Sequence, residues 1–187
     1  MRLQPKDRFL VEAEPEILAS FEVIREVNNG ITIDSAKVPA DADGNRIIRK
    51  GMPMAKITAS GKFRPYTGTT VQTTAASAAT AVILSDASRF IVGDEVKIGN
   101  ETKTISAINY ETNTITVTAL AGEQVAGTVV AGTDGGADPT VILKRGINVK
   151  DGDHVVGGYE VVKVISERIP VTVDATLRGK MPHVVFA

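Results

Sequence analysis

The sequence predicts an all-β protein: a small β-barrel or sandwich core domain interrupted by a second small β-domain, with an extended N-terminal arm. Three observations carry this expectation. Apolar residues come in short alternating or β-branched runs, punctuated by turn chemistry such as Asn28-Asn29-Gly30, Gly99-Asn100 and Asp151-Gly152-Asp153. Aromatic residues make up 4% of the chain against 43% hydrophobic residues, with no Trp, so the cores must be filled by Val, Ile, Leu and Ala. Composition also breaks sharply: residues 67–133 hold 14 Thr, 11 Ala and nine charged residues, whereas the other 120 residues hold thirty-four charges. A chain of 187 residues exceeds the usual domain of ~100 to 150 residues, and two small domains suit the break better than one large one. The expected division is an arm over 1–25, a discontinuous core domain over 26–66 plus 138–187, and an inserted Thr/Ala-rich module over 67–137.

Residues 1–20 show no sustained period, and Pro5 and Pro15 interrupt what pattern there is, so they read as an extended arm. Within it, Phe9, Leu10 and Val11 stand in a charged segment that offers them no internal partner. Burial against another chain would account for them, at ~1.5 to 3 kcal/mol for each large side chain. Alternation from Phe21 to Val27 predicts a strand ended by Asn28-Asn29-Gly30, and Ile31-Thr32-Ile33 a second short one. Pro39 to Asn45 is a loop, after which Ile47-Ile48 re-enters structure.

Met52-Met54-Ile57 and Phe63-Tyr66 flank Ala59-Ser60-Gly61-Lys62, a hairpin signal. In the insert, strands are expected at Thr80 to Leu84, at Phe90 to Glu101 around Val96 and Ile98, at Thr102 to Asn109, and at Thr114 to Thr118. Gly127, Gly132 and Asp134 to Asp138 read as a flexible exit linker. The last part returns to β: Val141 to Leu143, Gly158 to Ser166, Val171 to Leu177 and His183 to Phe186, with Pro170 and Pro182 at strand starts or edges.

Charge and motif content weigh against most chemistry. The formal net charge of −1 supplies no general attraction to phosphates or anionic lipid, so nucleic acid and membrane are not expected partners. Without cysteine there is neither a disulfide framework nor a thiolate site. No apolar run approaches the ~20 residues of a membrane span, and Met1 to Leu10 is too charged for a signal peptide, so a chain made and kept soluble in a cytoplasm is expected. His154 and His183 are far apart and lack a neighbouring motif. Asp41-Ala42-Asp43-Gly44-Asn45 resembles a calcium loop, but its glycine falls early and no bidentate Glu follows at the required spacing. Gly157-Gly158 lacks the strand-to-helix context of a phosphate loop. No catalytic residue, cofactor or metal site is therefore expected, and the chain does not read as an enzyme.

Two segments carry a resemblance. Arg49 to Tyr66, RKGMPMAKITASGKFRPY, followed after an intervening stretch by Thr140 to Val149, TVILKRGINV, resembles the head decoration (cement) proteins of tailed bacteriophages, lambda type. Ser85 to Gly99 is separately similar to a small β-module found in many phage structural proteins. The short lambda-type proteins run directly from hairpin to return strand, so the insert is a departure from their pattern. The resemblance implies a non-enzymatic protein of the virion's outer surface, made in the host cytoplasm, that assembles as homotrimers on the expanded head lattice and braces it. Its partner would be the major capsid protein, met by the N-terminal arm through added β-strand pairing. Two other readings stay open: a receptor- or glycan-binding module, for which Tyr110 beside the Glu111-Thr112-Asn113 turn is the plausible contact, or another virion part such as a tail-tube or head-completion subunit.

Overall fold

The computed structural model describes residues 14–187, so Phe9, Leu10 and Val11 lie outside the described residues. The fold is all-β. In chain order the strands are β1 (Leu18–Glu26), β2 (Ile31–Ile33), β3 (Ile47–Ile48), β4 (Pro53–Lys56), β5 (Phe63–Pro65), β6 (Gly68–Thr70), β7 (Ala81–Ile83), β8 (Glu95–Ile98) and β9 (Glu101–Thr104). They continue with β10 (Ala107–Asn109), β11 (Thr114–Thr116), β12 (Val129–Gly132), β13 (Pro139–Leu143), β14 (Ile147–Asn148), β15 (His154–Val156), β16 (Gly158–Val164) and β17 (Val184–Phe186). A single described α-helix, α1 (Ala175–Lys180), interrupts them. Among the described residues no helix is long and apolar enough to cross a membrane.

The largest sheet has eight strands in the order β1-β16-β13-β4-β5-β2-β15, with β17 parallel beside β16. The chain leaves this sheet after β5 and re-enters it at β13, and those two strands flank β4. In between lie a four-stranded sheet, β6-β12-β8-β9, and a three-stranded one, β10-β11-β7. The apolar clusters follow the sheets. One is built wholly from residues 71–130, around Phe90, Leu84, Val96, Ile98 and Ile115. Two others come wholly from outside that range, one around Ile17, Tyr159, Leu177 and Phe186, the other around Ile33, Met54 and Leu143.

Local chemistry sets the strand pairings. In β4, Pro53 occupies the first position, where the missing N–H costs no ladder bond, and Met54 and Ala55 are buried. The turn into β5 closes through Gly61 N–H donating to Ile57 O at 2.9 Å, with Gly61 at φ +71°, a conformation open to glycine at no steric cost. The β8–β9 hairpin alternates buried Val96 and Ile98 with exposed Glu95 and Lys97 and reverses at Gly99-Asn100, with Gly99 at φ +56°.

Four expectations need correction. Val171 to Leu177 is not a strand: Asp174 accepts from the Leu177 N–H at 2.7 Å, capping α1 and placing Leu177 in the core. Thr102 to Asn109 is not one strand either, because buried Ile105 and the following Ser106 carry the chain from one sheet to the other. There Ile105 N–H donates to Asp94 O and Ser106 N–H to Thr116 O. The exit segment is not a loose linker. β12 lies inside the four-stranded sheet, and a Cβ on Gly135 would fall 2.5 Å from Lys56 O, so that glycine serves close approach.

Residues 14–17, expected within the extended arm, are held against the body. Ile17 is fully buried, and its carbonyl accepts from Ile165 N–H at 2.8 Å; Glu14 accepts from the Gly146 N–H, Glu16 pairs with Lys50 at 3.5 Å, and Arg168 donates to Glu16 O. Strand β1 then pairs with β16, but irregularly. Ser20 lies opposite Lys163 and Arg25 opposite Val161, so a step of five residues on β1 answers a step of two on β16. Phe21 stands on that bulge, 76% exposed.

Candidate functional site

The densest chemistry in the structure is a cluster of six charged side chains where the two groups of sheets meet. Arg64 comes from β5 and Lys37 from the 3-10 turn Ser35–Lys37, and Asp86, Arg89 and Asp94 come from the loop between β7 and β8. Asp134 follows β12. Arg64 is 1% exposed and grips Asp94, itself 3% exposed, as a two-pronged fork: Nη1 to Oδ1 at 2.9 Å and Nη2 to Oδ2 at 2.6 Å. Nη1 also donates to Asp134 Oδ2 at 2.7 Å, and Lys37 Nζ donates to Asp94 Oδ1 at 2.8 Å. Arg89, ion-paired with Asp86, donates Nε to Tyr66 O at 2.7 Å and Nη2 to Gly68 O at 2.9 Å, while its own carbonyl accepts from Arg64 Nη2 at 3.3 Å.

Three cations thus face three carboxylates. Burial works against both members of the central pair, but the opposing charges outweigh it. Asp94 and Asp134 hold the Arg64 guanidinium more firmly protonated than usual. Arg64, Lys37 and the Ile91 N–H hold the Asp94 carboxyl below the ordinary aspartate range. With Arg64, Lys37 and Ile91 all donating to it, Asp94 has used its four acceptor positions and has none left with which to take a proton from a substrate. The cluster's chemistry is that of a clasp, and backbone reinforces it: Thr67 N–H donates to Gly136 O at 2.8 Å, Gly132 N–H to Thr67 O at 3.0 Å, and Thr58 N–H to Asp134 O at 2.9 Å.

The residues singled out from sequence lie elsewhere. Tyr110 is 43% exposed, and its hydroxyl donates to Phe90 O at 2.9 Å. Burial, with the nearby Asp94 charge, raises the Tyr110 pKa. Phe90 is fully buried in the core of the inserted strands. His154 opens β15, and His183 precedes β17 and is exposed. Among the described residues no group of three or more His, Asp or Glu is placed to hold a metal ion. In the Asp41 loop the carboxylate accepts from the Asp43 and Asn45 backbone N–H groups and from the Asn45 side chain, which makes it a self-capped turn.

The sequence reading missed Lys37, Arg64, Asp94 and Asp134. Arg64 stands between half-buried Phe63 and buried Pro65, a place that reveals its burial only in the folded chain. Among the described residues, the large exposed apolar side chains on the eight-stranded sheet sit on strands paired on one side only: Phe21 on β1, Val155 on β15 and Val185 on β17. No family model matches the chain, and no curated protein matches it.

Proposed function

We propose that this chain is a capsid decoration protein of the lambda type, binding as homotrimers to the outer face of an expanded phage head through the major capsid protein. One observation carries the reading. The two segments that bear the resemblance are far apart in sequence, yet they occupy adjacent strands of one sheet, with Met54 opposite both Pro65 and Val141 and Pro53 opposite Ile142. A decoration domain that tolerates an insertion would be built this way, with the extra strands leaving after β5 and returning at β13. A decoration protein must hold a lattice through many modest, repeated contacts, and a trimer multiplies such contacts into a large avidity.

The test is to mix purified protein with expanded, undecorated heads of the phage that encodes it and locate it by cryo-electron microscopy. Density at threefold or pseudo-threefold positions is expected, and binding should weaken strongly when residues 2–13, which contain Phe9, Leu10 and Val11, are removed. Density confined to the tail or neck would overturn the proposal in favour of a tail-tube or head-completion subunit. The half-exposed ring of Tyr110 favours a second role for the inserted strands, contact with a receptor or glycan. If that holds, Tyr110→Ala will reduce adsorption to host cells without changing head occupancy.

A further inference from the structure

We propose that the Lys37–Arg64–Asp94–Asp134 cluster, with Arg89 and Asp86, is a charge-locked joint that fixes the inserted strands at a set angle to the large sheet. The apolar interior does not do this. The cluster centred on Phe90 contains residues 71–130 alone, and the other two contain none of them, so among the described residues no apolar cluster spans the boundary. What spans it is polar. Lys37 and Arg64 belong to the large sheet's side, Asp86, Arg89 and Asp94 to the inserted strands, and Asp134 to the returning chain.

The geometry suits a lock more than a tether. A fork between Arg64 and Asp94 fixes orientation as well as distance, because two parallel hydrogen bonds resist rotation about either one. Arg89 adds three further bonds, one to Asp86 and two to the carbonyls of Tyr66 and Gly68, where the chain passes from β5 into the insert. On the exit side the glycines let the backbone come close. A Cβ at Gly136 would lie 2.5 Å from Thr67 Oγ1 and 2.9 Å from Arg64 Cδ, and one at Gly132 would lie 2.4 Å from Thr67 Oγ1. Entry and exit chains therefore run side by side under the charge cluster, and rotating the inserted strands would strip Arg64 and Asp94 of partners inside a buried site.

Hydrogen exchange read by mass spectrometry on full-length wild type, Asp134→Asn and Arg64→Met tests this. Asp134→Asn keeps the oxygen that accepts from Gly136 N–H while removing the charge that meets Arg64 and Lys37. Amides of residues 66–68 and 132–136 should exchange at least roughly tenfold faster in Asp134→Asn and on the order of a thousandfold faster in Arg64→Met, as expected for losing one charge-assisted bond and a buried pair respectively. Amides of Val96 to Ile98 and Val162 to Val164 should keep their wild-type rates in Asp134→Asn. Unchanged joint amides in Asp134→Asn would overturn the proposal whether or not Arg64→Met folds. So would joint and core amides accelerating together, because the cluster would then belong to one cooperative core.

Discussion

Replacing Ile17 with alanine tests whether the chain just before β1 belongs to the folded body. Ile17 is fully buried with Tyr159, Val162, Val164 and Leu177 in its cluster, and the alanine would remove most of an aliphatic side chain from a site closed on every side. Such truncations cost about 2–5 kcal/mol, the upper part of the range applying where the surroundings cannot collapse into the space. Taking ~3 kcal/mol, and ~2–4 °C of melting temperature per kcal/mol for a chain of this size, the transition should fall by roughly 6–12 °C. Phe21→Ala, four residues on, is the internal control. Phe21 is 76% exposed, so its removal should change stability by no more than ~0.5 kcal/mol. Scanning calorimetry on the two variants and the wild type makes the comparison. If Ile17→Ala melts within a degree or two of Phe21→Ala, the segment is not packed as described. By the same reasoning, removing residues 2–20 deletes Ile17 and the Glu16 partner of Lys50 and should lower the melting temperature sharply.

Further outcomes follow from other sites. Glu101 accepts from the Ala121 and Gly122 N–H groups and pairs with Lys103, which lowers its carboxyl to about 2. A depressed folded value means this clasp is complete above the ordinary glutamate range and is lost as pH falls toward about 2, so the Ala121 and Gly122 amides should lose protection across that acid window, while in Glu101→Gln they should show no such pH dependence. Gly68→Ala would set a Cβ 1.9 Å from the Tyr66 hydroxyl oxygen, and the strain should cost about 1–3 kcal/mol by chemical denaturation. Tyr110→Phe removes the bond to Phe90 O and should cost about 1 kcal/mol in the same assay.

What could be read in advance was whatever is decided by neighbours in sequence. The β4–β5 and β8–β9 hairpins were legible because alternation and a turn glycine lie within one short window, and Gly61 and Gly99 do adopt the positive φ such turns use. The helix α1 was misread because Val171, Thr172 and Val173 mimic a strand, although Asp174, followed three residues later by Leu177, is a legitimate N-cap signal. The exit segment was misread because glycine serves freedom and close packing alike, and only the neighbours of Gly132, Gly135 and Gly136 tell which. The charged joint was illegible for a different reason. Its members at positions 37, 64, 94 and 134 are residue types that ordinarily face water, and nothing in their spacing announces that they meet.

The irregular pairing of β1 has one more consequence. A long, flat strand at the margin of a sheet is a template on which further copies can add, rung upon rung, toward fibres. Here the margin is broken, since between Ser20 and Arg25 the chain runs out of step with β16 and throws its backbone away from a straight ladder. A second molecule approaching that side meets a strand bent out of line, a poor template for a straight ladder, even though Phe21 offers it an apolar foothold. The bulge thus leaves Phe21 on a rim that is poorly shaped for the addition of a further strand.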